Sequence, residues 1–209
     1  MDRKNQDWIR WIPEDDAGRI PSPGPMELVQ QLLSRLPGRS AKTVAHLGAA
    51  PLSRLRMLAS GFERLVVVVD RERRATDFPP RDTEAGIEWH ARVLTDLTPL
   101  HGRVDVALAD GTLCRCDPAE LDAVLEQVLC CLTEGGLLAA TFPAAPSTGA
   151  AREMRLRLDR APRVSTLALH EVELQYRLRR SGFGGVRILR LESPHGACLL
   201  CLAVRRANN

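Results

Sequence analysis

Leu65-Val66-Val67-Val68-Val69-Asp70 is the stretch on which the reading of this 209-residue chain turns. Five consecutive apolar residues, four of them β-branched, suit a strand covered on both faces, as in a parallel sheet flanked by helices. A strand with one face in water would alternate apolar and polar residues instead. Asp70 ends the run, so a carboxylate stands at the carboxyl end of the strand, where open α/β sheets bind their ligands.

Working outward, the same logic extends in both directions. Upstream, Thr43-Val44-Ala45-His46-Leu47 reads as a shorter strand running into Gly48-Ala49-Ala50-Pro51, and residues 52–60 as a helix closed by Gly61. Downstream, residues 87–93 form a third strand and residues 104–109 a fourth, which ends at Asp110-Gly111. The next helix has Asp117 as N-cap, Pro118 at its first position and Glu120 to close a capping box. Leu121, Val124, Leu125, Val128, Leu129 and Leu132 share one face of it, and Gly135-Gly136 are expected to stop it. Residues 137–142 then read as a fifth strand, residues 143–166 as an insertion, and residues 169–181 as a helix ended by Gly182. Residues 186–191 and 197–204 close the pattern as two strands joined by Ser193-Pro194-His195-Gly196. The prediction is α/β: a Rossmann-like, doubly wound, mostly parallel seven-stranded sheet with a C-terminal antiparallel hairpin and helices on both faces.

Residues 1–25 read as an arm, because Ile20-Pro21-Ser22-Pro23-Gly24-Pro25 cannot form a helix or a central strand. Trp8 and Trp11 lie on it, and rings of that size dock on the chain's own domain or on a partner. The domain is expected to run over residues 26–209, opening with a helix that repeats Leu28, Val29, Leu32, Leu33 and Leu36. With 29 Lys+Arg against 26 Asp+Glu, the net charge of +3 is too small for an electrostatic footprint for nucleic acid unless the basic residues cluster. No run approaches the ~18 apolar residues that span a bilayer, so a soluble, cytoplasmic protein is expected. Of the six cysteines, Cys198 and Cys201 point to opposite faces of a strand and Cys130 and Cys131 diverge around a helix. Reduced, mostly buried thiols are therefore expected, and no metal site.

Taken in order, these landmarks resemble the class I S-adenosylmethionine (SAM)-dependent methyltransferases over roughly four fifths of the chain. Val44-Ala45-His46-Leu47-Gly48-Ala49-Ala50 is similar to the family's cofactor loop, and Asp70 to the acid closing its second strand. Val104-Asp105-Val106-Ala107-Leu108-Ala109-Asp110 resembles its fourth strand, Leu132-Thr133-Glu134-Gly135-Gly136-Leu137-Leu138 the turn into its fifth, and Gly182-Phe183 the entry to its terminal hairpin. The resemblance implies SAM as cofactor, held by His46, Gly48, Ala50, Asp70, Val93 and Asp110, with Asp110 also near the methyl acceptor. It implies transfer to a small molecule or to a partner protein.

The loop departs from the family pattern. Ala49, Ala50, Pro51 and Leu52 stand where two more glycines are usual, His46 replaces a common acid, and Arg92 lies where an acid often meets the adenine amine. A Cβ obstructs close approach, although alanine at position 50 is accommodated if its φ stays negative. Asp70 is placed to accept both ribose hydroxyls or to pair with Arg71, Arg73 or Arg74. Asp110 is placed to orient or deprotonate an acceptor, or to bond its own turn. His46 either replaces a lost carboxylate or is a satisfied half-buried histidine, and His195 reads as a surface turn residue. Arg152, Arg155, Arg157 and Arg160 give the insertion a basic face, expected in water or as a substrate cover. Asp110-Gly111-Thr112-Leu113 lacks the Asn/Asp-Pro-Pro-aromatic motif of nucleic-acid amino methylation, so nucleic acid is disfavoured as substrate. Two rivals to methyl transfer stay open: a catalytically inactive accessory or binding subunit of a complex, and an enzyme reusing the fold for another reaction; on any of these readings a homo- or hetero-oligomer is open.

Overall fold

The structure, a computed structural model, describes residues 43–48, 50–70, 86–145, 167–191 and 197–207. The tryptophan-bearing arm, the helix expected over residues 26–36, the four insertion arginines and the turn holding His195 lie outside the described residues, as do Arg71, Arg73 and Arg74. In chain order the elements are β1 (Thr43–Leu47), α1 (Leu52–Ala59), β2 (Arg64–Asp70), β3 (Ile87–Arg92), β4 (Val104–Asp110), α2 (Pro118–Cys131), β5 (Leu132–Pro143), α3 (Glu171–Arg180), β6 (Phe183–Leu191) and β7 (Cys198–Arg205).

One seven-stranded sheet runs β3-β2-β1-β4-β5-β7-β6. The first five strands pair in parallel, and β7 is antiparallel to both of its neighbours. Successive strands step outward on one side from β1 to β3 and then on the other from β4 onward. The direction of winding therefore reverses between β1 and β4, which opens a crevice beyond their carboxyl ends.

A core lies on each face of the sheet. Leu65, Val67 and Val69 of β2 turn one way, toward Leu55 and Leu58 of α1, and Val66 and Val68 the other, into the layer that holds α2 and α3. No residue of that run is more than 5% exposed, which is why the strand carries no polar alternation. On the second face Leu121, Val124, Leu125 and Val128 of α2 and Leu174 and Leu178 of α3 are fully or almost fully buried. Each such side chain contributes about 1.5–3 kcal/mol.

The capping box of α2 forms as read. Asp117 Oδ1 accepts from the backbone N–H of Ala119 at 2.9 Å and of Glu120 at 2.8 Å, and the Glu120 carboxylate accepts in return from the Asp117 N–H at 3.3 Å. The end of the helix does not. Gly135-Gly136 do not stop it: α2 ends at Cys131, Leu132 is already extended, and both glycines lie inside β5. The Arg205 guanidinium explains this, since it donates to the carbonyls of Leu129, Cys130 and Leu132 and so satisfies the helix end with a cation. Two other boundaries move. Leu169 bridges Ala144 and His170 caps α3, so that helix starts at Glu171, and β6 begins at Phe183 because Phe183 and Gly184 already pair with β7. Cys114, Cys116, Cys131 and Cys201 are buried thiols, Cys198 is half-buried and Cys130 is exposed. Among the described residues no helix is long and apolar enough to cross a membrane.

Candidate functional site

The strand ends bring the sequence-predicted residues to one side of the sheet. Val93 follows β3, Asp70 ends β2, Gly48 follows β1 and Asp110 ends β4, so the four stand in that order across adjacent strands. Asp70 is buried, with its Cα opposite Arg92 of β3, and Val93 is half-buried. Where these two face a nucleoside in related folds, an acid and an apolar wall are present here.

Gly48 has φ +104, a backbone conformation that L side chains rarely adopt, and its N–H extends the ladder to the Val68 carbonyl at 2.7 Å. A Cβ at this position would run into the Thr112 hydroxyl, which donates to the Leu47 carbonyl at 2.7 Å. Gly48 thus serves packing within the chain: it lets the turn after β4 close on the end of β1. Ala50 is half-buried, and among the described residues only glycines take a positive φ, so its backbone is ordinary and its methyl group unstrained. Pro51 follows as the N-cap of α1, which receives no side-chain cap.

His46 points to the α1 face of the sheet, the face shared by Leu108, its Cα partner in β4, and by Asp110 two residues on. It is 1% exposed. Its Nδ1 lies 3.1 Å from the Gly48 carbonyl, an acceptor, so Nδ1 must carry the proton of the neutral ring. Nε2 is then a bare lone pair, and it has no hydrogen-bond partner among the described residues. Burial pushes the imidazole below its ordinary range; the bond to Gly48 opposes this, the nearby Arg54 charge adds to it, and Asp110 opposes it. The ring is a neutral acceptor buried on the α1 face near the carboxyl end of β1.

Asp110 is enclosed by partners. Its Oδ2 accepts from Arg54 Nη1 of α1 at 2.7 Å, and its Oδ1 from the Thr141 hydroxyl of β5 at 2.8 Å; Thr141 in turn accepts from the Gly111 N–H at 2.9 Å. Arg54 and Asp110 each leave about a third of the side chain exposed, at 32% and 31%. The pair is therefore partly open to solvent at the carboxyl edge of the sheet. Each oxygen of this carboxylate accepts one hydrogen bond and keeps a further lone pair, so the two bonds fix its orientation while leaving it able to accept another.

Arg54, Thr112 and Thr141 escaped the sequence reading. For Arg54 a signal exists. It sits in the first turn of α1, which has no acidic residue, and a cation there opposes the helix dipole. Thr112 and Thr141 have no comparable mark, because only the pairing of β4 with β5 and the approach of the Thr112 turn to β1 give them their roles.

A parallel 3-2-1-4-5 sheet completed by an antiparallel β7 between β5 and β6 is the Rossmann-like fold of the class I SAM-dependent methyltransferases. Solved structures share it across nearly the whole chain. The Burkholderia thailandensis 1,6-didemethyltoxoflavin-N1-methyltransferase, with bound 1,6-didemethyltoxoflavin and S-adenosylhomocysteine, matches at a TM-score of 0.65 and 19% identity, over 88% of this chain and 79% of that one. A chain from the complex of the Haloferax volcanii Trm112 methyltransferase activator with a proposed methyltransferase matches at 0.67 and 15%, over 87% and 89%. The [4+2]-cyclase SpnF matches at 0.63 and 12%, over 87% and 81%. No family model and no curated protein matches the sequence.

The residues present fit SAM in part. A buried acid, Asp70, and an apolar residue, Val93, stand at adjacent strand ends as a nucleoside would require, and the His46 Nε2 is a buried acceptor without a partner among the described residues. The backbone cradle is tighter than a three-glycine loop, since Ala50 and Leu52 each add a side chain.

Proposed function

We propose that this chain binds SAM in the crevice between the ends of β1 and β4 and transfers its methyl group to a small molecule or a partner protein. The observation that carries this reading is the succession of Val93, Asp70, Gly48 and Asp110 along the carboxyl edge of the sheet, at the reversal of strand order. Structural relatives crystallised with S-adenosylhomocysteine support it. Bound SAM would supply an electrophilic methyl on a sulfonium, so the protein's share is alignment of the acceptor and exclusion of water. On this reading Asp70 accepts the ribose hydroxyls, Val93 backs the adenine, and Asp110, braced by Thr141, faces the acceptor.

The test is calorimetric titration of the folded protein with SAM and S-adenosylhomocysteine, beside Asp70→Ala. The expected result is micromolar binding that weakens at least about tenfold in the variant. Pure, folded protein that binds neither ligand overturns the reading.

One observation favours a second reading, a methyltransferase-like accessory subunit without methyl transfer: both oxygens of Asp110 are engaged within the chain. The Trm112 complex among the structural relatives supplies a precedent for partnership in this fold. The same titration separates the two, and copurification of a protein partner with ligand-free chain would support the second.

A further inference from the structure

We propose that the exposed face of α3 is the docking surface for the amino-terminal arm of the same chain, with Trp8 and Trp11 laid over Val172 and Tyr176 and the acids Glu14, Asp15 and Asp16 set against Arg179 and Arg180. This docking is independent of whether the crevice holds SAM.

The sides of α3 have separate uses. Leu174 and Leu178 are fully buried in the core shared with α2, and Arg177 turns toward Asp122 of α2, which it meets at 2.7 Å. The opposite side carries Val172 and Tyr176, one turn apart and 68% and 63% exposed. Single apolar residues scattered over a surface mean little, but two of the three large apolar side chains exposed among the described residues are neighbours here. The stripe continues one turn further into Arg179 and Arg180. Both are exposed, and among the described residues neither is held in an ion pair, unlike Arg177 and Arg190 of the same region.

The arm carries the complement in the same order. Trp8 and Trp11 are followed by Glu14-Asp15-Asp16, as Val172 and Tyr176 are followed by Arg179-Arg180. The indole rings supply apolar contact area, and the opposite charges at one end fix the register. The direction of approach agrees. Helix α3 runs toward the amino edge of the sheet, where β6 starts with Phe183 opposite Arg205, and β1 starts with Thr43 on that same edge. Followed backward from Thr43, the chain meets the arginines before the apolar pair, as it meets Asp16 before Trp11. Strand β6 lies four strands from β1, about 19 Å across the sheet. Half of residues 17–42, extended, would cover about 40 Å. Tethering favours the chain's own arm over a second copy, because the linker holds it at an effective concentration on the order of a millimolar.

The test is chymotrypsin digestion of the full-length protein under native conditions, read by intact mass as the rate of cutting after Trp8 and Trp11, with thermal melts to show that each variant is folded. Cutting in the wild type is expected to be at least about tenfold slower than in a reference peptide of residues 1–25. Tyr176→Ser should remove that protection, and so should Arg179→Glu with Arg180→Glu. Adding Glu14→Arg and Asp15→Arg to the arginine reversals should restore it. A wild type cut as fast as the peptide overturns the docking and leaves the face of α3 to a partner protein. Protection that survives the α3 variants places the arm elsewhere and overturns it equally. Loss without recovery on charge reversal overturns the pairing of the acids with the arginines, and protection that rises with protein concentration assigns the arm to a second copy instead.

Discussion

The two ends of β4 each carry an aspartate, and they are used differently. At the amino end, Asp105 Oδ2 accepts from the Thr43 N–H of β1 at 3.0 Å and its Oδ1 from the Thr133 hydroxyl at 3.1 Å, which ties the strands on either side. At the carboxyl end, Asp110 also reaches β5, through Thr141, but its second partner is a guanidinium from a helix, about a third exposed. The first arrangement consists of short groups already fixed by the sheet. The second includes a long side chain that can swing, next to a buried imidazole with an unmet lone pair. Strand direction, not residue type, makes one aspartate a brace between strands and leaves the other at the carboxyl edge of the sheet, where the proposed site lies.

The contrast can be pressed by mutation. The largest effect is expected at Gly48→Ala, where positive φ and collision with Thr112 act together: about 3 kcal/mol of stability by chemical denaturation. Adding Thr112→Ala should recover the collision part and leave the backbone part. Next, Asp105→Ala should cost about 2 kcal/mol through the lost charge-assisted bonds while leaving affinity for S-adenosylhomocysteine unchanged. A variant of normal stability but altered affinity would erase the distinction between the two ends.

The smallest effect is a pH dependence. Burial keeps His46 neutral in the folded chain, whereas the unfolded chain takes up its proton near the ordinary value of 6.5. The contribution of His46 to stability is therefore complete above that pH and falls as acid approaches the lowered folded value, by up to about 1.4 kcal/mol per pH unit. His46→Asn should flatten the dependence in denaturation curves measured from pH 7 downward, and an unchanged slope would show that other groups dominate acid sensitivity.

Much of the fold was legible because its signals are local. The apolar run of β2 and the Asp117-Pro118-Glu120 start of α2 declare themselves within a few residues. The boundaries that moved depended on distant partners. Gly135-Gly136 look like a helix stop until Arg205, 75 residues from Cys130 and 73 from Leu132, is seen closing the helix earlier. In the site, positions at strand ends could be read from the order of elements, while the tautomer of His46 and the pairing of Arg54 could not. They arise from register between β1 and β4 and from the way α1 packs back on the sheet.

The placement of β7 also governs how the sheet can be assembled. The strand follows β6 in the chain yet lies between it and β5, pairing with both. A growing polypeptide that has reached β6 therefore holds a strand without a neighbour beside an uncovered edge bearing Leu138, Ala140 and Phe142. Both remain open to other chains until residues 198–205 emerge and zip them together. Cutting the chain before that point would not trim a border strand but split the sheet.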